Sequence, residues 1–302
     1  MSGSVAELHQ RAELLAANLP PLLIRADRVA ATVSQGVHGR RRVGQGETFW
    51  QYRRYEAGDP IQKIDWRRSA KSDPVYIREN EWEAAQSVWL WSDGSPSMRY
   101  ASNRRLPQKV DHADLLMLAT ASLLVRAGEH VAPLGWGITP TAGRTALLLL
   151  AQALEDRAIT ANDNHPGSLP RFEPLPRHGS IVMFGDFLEP LEDIHKAIGR
   201  YVDRGIAGHM LQILDPAERE LPFGGRTRFE GMENEGTALI GRVEGIREQY
   251  RDRLGRHRDG LEAIARTAGW TFATHYTNQP VETALLGLFM ALTAPRGTQE
   301  TY

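Results

Sequence analysis

The chain has 302 residues, of which 41% are hydrophobic and 24% charged, and its formal net charge is −1. This length favours one large domain with an appendage, and the balanced charge argues against general attraction to nucleic acid or to an anionic membrane. Cysteine is absent, which excludes disulfides, thiol catalysis and cysteine-bound zinc or iron–sulfur clusters and is consistent with a reducing compartment.

The N-terminal part of the sequence predicts a helix followed by a small β-containing subdomain. Leucines at helical spacing indicate a helix over residues 5–35 that is broken at Pro20. From residue 48 onward the sequence is rich in aromatic and β-branched residues, and a strand is predicted over residues 75–78. We place these two parts at residues 1–36 and 37–84.

From residue 85 onward, short apolar runs alternate with helical patterns. The expected strands are residues 88–91, 131–136, 181–184, 210–214 and 269–275. The expected helices are residues 111–128, 145–154, 188–202, 247–258 and 281–292, with a hairpin or loop insertion near residues 222–225. This alternation predicts a three-layer α/β domain with a doubly wound, mostly parallel sheet. We expect the domain to span residues 85–294, followed by a flexible tail over residues 295–302.

Two features argue against insertion into a membrane. The N-terminus lacks the basic and apolar regions of a signal peptide. The most apolar run, residues 115–125, is well short of the roughly 20 residues that a helix needs to cross a bilayer. We therefore expect a cytoplasmic protein without a transmembrane segment.

Acidic residues follow two of the predicted strands. Asp93 comes after the first strand and precedes Ser95 and Ser97, whereas Asp186 comes after the third strand. Ligands of open parallel α/β sheets bind beyond the carboxyl ends of the strands, so neighbouring strands would bring these oxygens together. An all-oxygen set suits a hard divalent cation such as Mg²⁺. Because the two serine hydroxyls are neutral, we expect the ion to keep positive charge and an open position for an external carboxylate.

The Asp93-x-Ser95-x-Ser97 sequence after an apolar strand resembles the metal-ion-dependent adhesion site (MIDAS) of von Willebrand factor A domains, which have a Rossmann-like fold. That resemblance implies a threonine from a second loop and an aspartate from a third. Asp186 matches the third-loop aspartate. The candidate for the threonine is Thr145, with Thr139 and Thr141 as rivals.

The sequence upstream of Asp93 resembles the signature of a bacterial family called domain of unknown function 58. The matching motifs are Arg54-Tyr55-x-x-Gly58-Asp59-Pro60, Ile64-Asp65-Trp66-Arg67-x-Ser69-Ala70 and Arg78-Glu79-x-Glu81. This resemblance implies a partner, a MoxR-type AAA+ ATPase with its protein clients, for which the chain would act as an adaptor or as a co-factor that presents substrates. We interpret the polar and aromatic residues of these motifs as a buried structural cluster. Its members are Arg54, Asp59, Asp65 and Trp66.

Other interpretations of the same residues remain open. Residues 93–97 are also compatible with an ordinary capped turn, and Thr145 with a helix N-cap. The pocket is compatible with a Mg²⁺-dependent phosphohydrolase or with a structural scaffold whose site is empty. Residues 137–145 depart from the spacing of a phosphate-binding loop, and the sequence has neither a Gly-x-Ser-x-Gly nor a His-Glu-x-x-His motif. We therefore expect binding of a divalent ion (Mg²⁺, or Mn²⁺ or Ca²⁺) rather than enzymatic turnover.

Overall fold

The computed structural model describes residues 21–36, 43–56, 64–70, 74–81, 85–160, 168–233 and 236–293. The first part of the predicted N-terminal helix and the predicted tail lie outside the described residues. The chain divides into two compact units. One comprises Met1–Ser34 and Ser87–Tyr302, and the other comprises Gln35–Gln86. The predicted small subdomain falls within the second unit.

The first described helix, α1 (Pro21–Gly36), belongs mainly to the larger unit. Its apolar residues recur at helical spacing, and Ala26 and Ala30 are fully buried. Asp27 accepts a hydrogen bond from Ser122. The N-terminal helix is therefore attached to the larger unit by both apolar and polar contacts.

The smaller unit contains an antiparallel pair of strands, β1 (Val43–Arg54) and β2 (Tyr76–Glu81), and a one-turn helix, α2 (Trp66–Ser69). The side chain of Asp65 caps this helix by accepting a hydrogen bond from the backbone N–H of Arg68 at 2.9 Å. Tyr52 donates to the other carboxylate oxygen of Asp65 at 3.2 Å. Asp65 therefore joins α2 to β1.

The interpretation of the signature residues as a buried cluster is wrong for two of its members. Trp66 is 63% exposed, and Arg54 is also exposed. Trp66 lies at the first position of a four-residue helix that has no buried residue, so the helix cannot turn its indole into a core. Asp59 lies outside the described residues.

The larger unit is built on a five-stranded sheet. Its strands are β3 (Ser87–Ser92), β4 (His130–Pro133), β5 (Ser180–Gly185), β6 (Ala207–Leu214) and, after the hairpin β7 (Thr227–Glu230) and β8 (Thr237–Ile240), β9 (Thr271–Tyr276). The order is β4-β3-β5-β6-β9, and all neighbours are parallel. The predicted α/β fold with a parallel sheet is confirmed, and the expected insertion is an antiparallel hairpin.

The helices of the larger unit follow the strands in alternation. They are α3 (Lys109–Arg126), α4 (Gly143–Thr160), α5 (Leu191–Val202), α6 (Pro216–Glu220), α7 (Arg247–Thr267) and α8 (Val281–Thr293). Among the described helices, none is both long enough and apolar enough to span a bilayer.

Both faces of the sheet are covered. Successive strand residues point to opposite faces, and Trp89, Ile181 and Met183 share a core cluster with Ile194 of α5 and Leu261 of α7. The alternate residues Leu90, Val182 and Phe184 are likewise fully buried, and α3 packs along β3 and β5. The result is a three-layer arrangement.

The strand order determines where a ligand site is expected. From β3 the chain passes first to β4 on one side and then to β5 on the other. The order therefore reverses between β3 and β5, and the crevice beyond their carboxyl ends is the usual ligand position in such sheets.

Candidate metal centre

Asp93 and Asp186 lie at the reversal point of the sheet. Ser92 pairs with Phe184 in the parallel register of β3 and β5, and the backbone N–H of Asp93 donates to the carbonyl oxygen of Phe184 at 2.8 Å. Each aspartate is at most 1% exposed. The structure thus brings both predicted carboxylates to one edge of the sheet.

The close approach of the two strand ends depends on a glycine. A Cβ atom on Gly185 would lie 3.1 Å from Cβ of Asp93 and 3.4 Å from its Oδ2 atom. These contacts are at or near the limit that a side chain tolerates. Gly185 therefore leaves room for the carboxylate of Asp93 beside β5.

The two predicted serines join the carboxylates in a chain of hydrogen bonds. The backbone N–H of Ser95 donates to Asp93 Oδ1 at 2.8 Å. The hydroxyl oxygens of Ser95 and Ser97 are 3.0 Å apart, and the Ser97 hydroxyl donates to Asp186 Oδ2 at 2.8 Å. The loop after β3, which continues into a short 3-10 turn at Pro96–Arg99, therefore directs both hydroxyls toward the carboxylates.

A third carboxylate, that of Glu189, completes the acidic cluster. Asp93, Asp186 and Glu189 each offer one oxygen, and these three oxygens lie within 4.8 Å of one another. Sequence reasoning missed Glu189, which stands only three residues after Asp186. Its position in the same loop beyond β5 was the available signal.

The acidic cluster contains oxygens that the described part of the chain leaves unsatisfied. Asp93 Oδ2 and Glu189 Oε2 are buried and have no hydrogen-bond partner among the described residues. Burial, followed by the neighbouring charge of Asp186, raises the pKa of Asp93 well above its usual range. Burial likewise raises the pKa of Glu189 to about 7. A buried carboxylate oxygen without a donor is costly, and a hard cation is the kind of group that satisfies it. The residues present therefore fit a divalent metal ion.

Lys109, at the start of α3, is a buried cation beside this cluster. Its Nζ atom lies 2.8 Å from Asp186 Oδ2 and 2.6 Å from Glu218 Oε1, and its side chain is 0% exposed. Burial lowers the pKa of Lys109, but the charges of Asp186 and Glu218 outweigh this and raise it above its usual value. Lys109 looks like an ordinary surface lysine in the sequence, because only the packed structure reveals its burial.

The structure does not bring Thr145 to the cluster. Thr145 is exposed in the first turn of α4. Arg157, twelve positions further along the same helix, donates to the carbonyl oxygen of Ser92 at 2.7 Å. Twelve residues of helix span roughly 18 Å, so it is the C-terminal end of α4 that lies near Asp93. The proposed ligand role of Thr145 gains no support from this geometry.

No described contact joins either of the two rival threonines to the acidic cluster. Thr139 is exposed. Thr141 pairs with Val131, which in turn pairs with Val88. Val88 precedes Asp93 by five positions, or roughly 16 Å of strand. The oxygens that the structure does bring together come from five residues. These are Asp93, Ser95, Ser97, Asp186 and Glu189.

The parallel sheet flanked by helices, with carboxylates and hydroxyls at its reversal point, defines a von Willebrand factor A-like protein with a candidate metal centre. The family model described as protein of unknown function DUF58 matches residues 51–260. The chain belongs to this family, and the resemblance carried by the upstream motifs is confirmed.

The chain is similar to mycobacterial proteins and to proteins of solved structure. Uncharacterized proteins of Mycobacterium bovis and Mycobacterium tuberculosis are 23% identical over 269 residues, covering 84% of this chain and 82% of theirs. A conserved hypothetical protein, BatB, from Bacteroides thetaiotaomicron is 14% identical, with a TM-score of 0.41, and covers 70% of this chain and 100% of its own. The VWA domain of SpRpn10 is 10% identical, with a TM-score of 0.33, and covers 72% of this chain and 100% of its own.

Proposed function

We propose that this protein is a metal-ion-dependent protein-interaction module whose acidic cluster holds one divalent cation. Carboxylate and hydroxyl oxygens of five residues would bind the ion directly or through water. These residues are Asp93, Ser95, Ser97, Asp186 and Glu189. The observation that carries the proposal is the pair of buried, unpartnered oxygens, Asp93 Oδ2 and Glu189 Oε2, which lie where a cation would satisfy both.

Oxygen-only donors favour a hard ion, and Mg²⁺ is the first choice, with Mn²⁺ and Ca²⁺ as alternatives. Lys109 is paired with Glu218 as well as with Asp186, so its positive charge is shared between the acidic cluster and α6. When bound, the ion supplies a positive centre to which an acidic side chain of a partner can bind. Ser97 and Glu189 are only half-buried, so we place the partner's approach on their side.

Family membership supports a MoxR-type AAA+ ATPase as the partner, with this chain acting as an adaptor for the client proteins of the ATPase. The chain has a net charge of only −1, so its overall charge does not attract an acidic partner. The bound ion would supply that attraction locally. The lack of cysteine supports a cytoplasmic site of action.

We further propose that the cluster binds a partner and does not turn over a substrate. Asp93 is 0% exposed, so in this conformation its carboxylate is not accessible as a nucleophile. A phosphohydrolase that forms a covalent aspartyl-phosphate on Asp93 would need that access. Assays of the purified protein with Mg²⁺ and generic phosphoesters test this point, and turnover that disappears in Asp93→Asn would contradict it.

Affinity capture of the ATPase tests the proposed partner. We expect the wild-type chain to retain a MoxR-type ATPase from the native organism in Mg²⁺ but not in EDTA, and Asp93→Asn to lose retention in both. Asp193→Asn is the matched control, because Asp193 is an exposed acid on α5. Retention that is unaffected by EDTA and by Asp93→Asn would overturn the proposal.

A further inference from the structure

Apart from the candidate metal centre, a pocket lies between α6 and α7. It has a volume of about 400 Å³, which is within the range typical of small-molecule sites. Its lining residues are Arg219, Glu220, Arg251, Leu254, Gly255 and Arg258. The lining carries three positive charges and one negative charge, so it attracts anions.

Two of the lining arginines, Arg219 and Arg251, are exposed and also contact other residues of the chain. Arg251 is anchored by a hydrogen bond to the carbonyl oxygen of Glu220 at 3.1 Å, and the guanidinium of Arg219 lies 5.3 Å from the centre of the Tyr276 ring. Arg258 differs, because its Nε atom is buried without a hydrogen-bond partner among the described residues. A buried donor without an acceptor is destabilising, so an acceptor that reached it from outside the chain would stabilise the protein.

Gly255 lines the same pocket and has no side chain to fill it. It lies in the interior of α7, a 21-residue helix, where glycine is less favourable than alanine. A Cβ atom on Gly260 would lie 2.3 Å from a methyl carbon of Leu191, whereas one on Gly255 would meet nothing within 4 Å. Packing therefore explains Gly260 but not Gly255. Gly255 lines the pocket without adding a side chain to it.

The spacing on α7 places these features together. Arg251, Leu254, Gly255 and Arg258 stand at positions i, i+3, i+4 and i+7 and so form one face of the helix. Arg219 and Glu220 come from the end of α6. Guanidinium groups from two separate helices therefore line the pocket.

We propose that this pocket binds a small phosphate-bearing anion. A guanidinium donates two parallel hydrogen bonds to phosphate oxygens. Several guanidiniums from separate elements suit a group with three or four oxygens better than a single planar carboxylate. Gly255 leaves space for the ligand, and Arg258 contributes a guanidinium group whose buried Nε atom has no acceptor among the described residues.

Isothermal titration with inorganic pyrophosphate tests the inference, in EDTA so that the candidate metal centre does not contribute. We expect saturable one-site binding by the wild type. Arg258→Gln should weaken it by about tenfold or more, because a charge-assisted hydrogen bond is lost. The matched control is Arg253→Gln, an exposed residue of the same helix outside the pocket, which should change the affinity by less than about threefold.

Gly255→Leu separates binding from folding. A Cβ atom at residue 255 would meet nothing within 4 Å, and leucine favours helix more than glycine does. We therefore expect an unchanged or higher thermal midpoint together with loss of pyrophosphate binding. No saturable binding by the wild type would overturn the inference. The inference would also be overturned by wild-type affinity in both Arg258→Gln and Gly255→Leu, because pyrophosphate would then bind without using the pocket. An equal loss of affinity in Arg253→Gln would overturn it too, because that result indicates charge attraction without a built site.

Discussion

Lys109 shows how one residue ties the candidate metal centre to the rest of the fold. Its ammonium bridges Asp186, which follows β5, and Glu218, which lies on α6. Glu218 also accepts a hydrogen bond from the backbone N–H of Asp215 at 2.7 Å. The start of α3, the end of β5 and the start of α6 are therefore joined through one buried positive charge.

Replacing Lys109 with methionine should destabilise the protein strongly. The variant leaves the carboxylates of Asp186 and Glu218 buried without their cation, which costs about 3–5 kcal/mol when one partner of a buried ion pair is removed. Urea unfolding in EDTA measures this loss. We expect Mn²⁺ to reduce the difference between variant and wild type, since a bound cation would compensate Asp186. Equal stability of both proteins in EDTA would contradict the role given to Lys109.

At the residue scale, the sequence predicted those site residues that the strand pattern alone could indicate. Asp93 and Asp186 each follow an apolar strand, and parallel strands end at the same edge of a sheet. Lys109 and Glu189 have no such pattern, because their burial arises from packing between elements distant in sequence. The sequence predicts Thr145 as the threonine ligand because it opens a helix, but the sequence cannot show which end of that helix faces the acidic cluster.

At the scale of elements, a pair of buried histidines links α3 to β9. His112 Nδ1 lies 2.9 Å from His275 Nε2, and the two rings stack with centroids 5.1 Å apart. Burial, followed by the proximity of His112, lowers the pKa of His275 from 6.5 to about 4. Burial also lowers the pKa of His112. Both rings are therefore neutral in the folded protein at pH 7.

This histidine pair predicts a loss of stability in mild acid. The unfolded chain takes up a proton on His275 near pH 6.5, but the folded chain does so only near pH 4. The contribution of His275 to the free energy of unfolding is therefore fully present above pH 6.5 and is lost as the pH falls from 6.5 to about 4. At about 1.4 kcal/mol per pKa unit, the loss amounts to roughly 3 kcal/mol. Urea unfolding at pH 7, 6 and 5 measures the slope.

His275→Gln should flatten this pH dependence, whereas His195→Gln, at an exposed position of α5, should leave it unchanged. An identical slope in His275→Gln and the wild type would show that other groups cause the acid sensitivity.

The alternation of strands and helices was predictable because the strands of a covered parallel sheet are apolar on both faces. The ends of elements were less predictable. The strand expected over residues 131–136 ends at Pro133, since Gly135 and Gly137 adopt positive φ angles of 87° and 63° and turn the chain. The helix expected over residues 247–258 continues to Thr267, because Leu261 and Ala265 are buried one turn apart.

At the scale of the molecule, α6 adjoins both proposed sites. Glu218 of α6 holds Lys109 beside the acidic cluster, and Arg219 lines the pocket against α7. The five-residue α6 therefore connects the candidate metal centre to the proposed anion site. The sheet provides the first site at its reversal point, and the packing of α6 on α7 provides the second.

The central claim is that the acidic cluster beyond β3 and β5 binds a divalent cation, and calorimetric titration with Mn²⁺ tests it most directly. We predict one site per chain with an affinity of about millimolar or tighter, lost in Asp93→Asn and retained in Asp193→Asn. Because burial makes the charge of Asp93 costly, Asp93→Asn should also match or exceed the wild-type thermal midpoint in EDTA. Absence of Mn²⁺ binding by the wild type, or equal binding by Asp93→Asn, would contradict the claim.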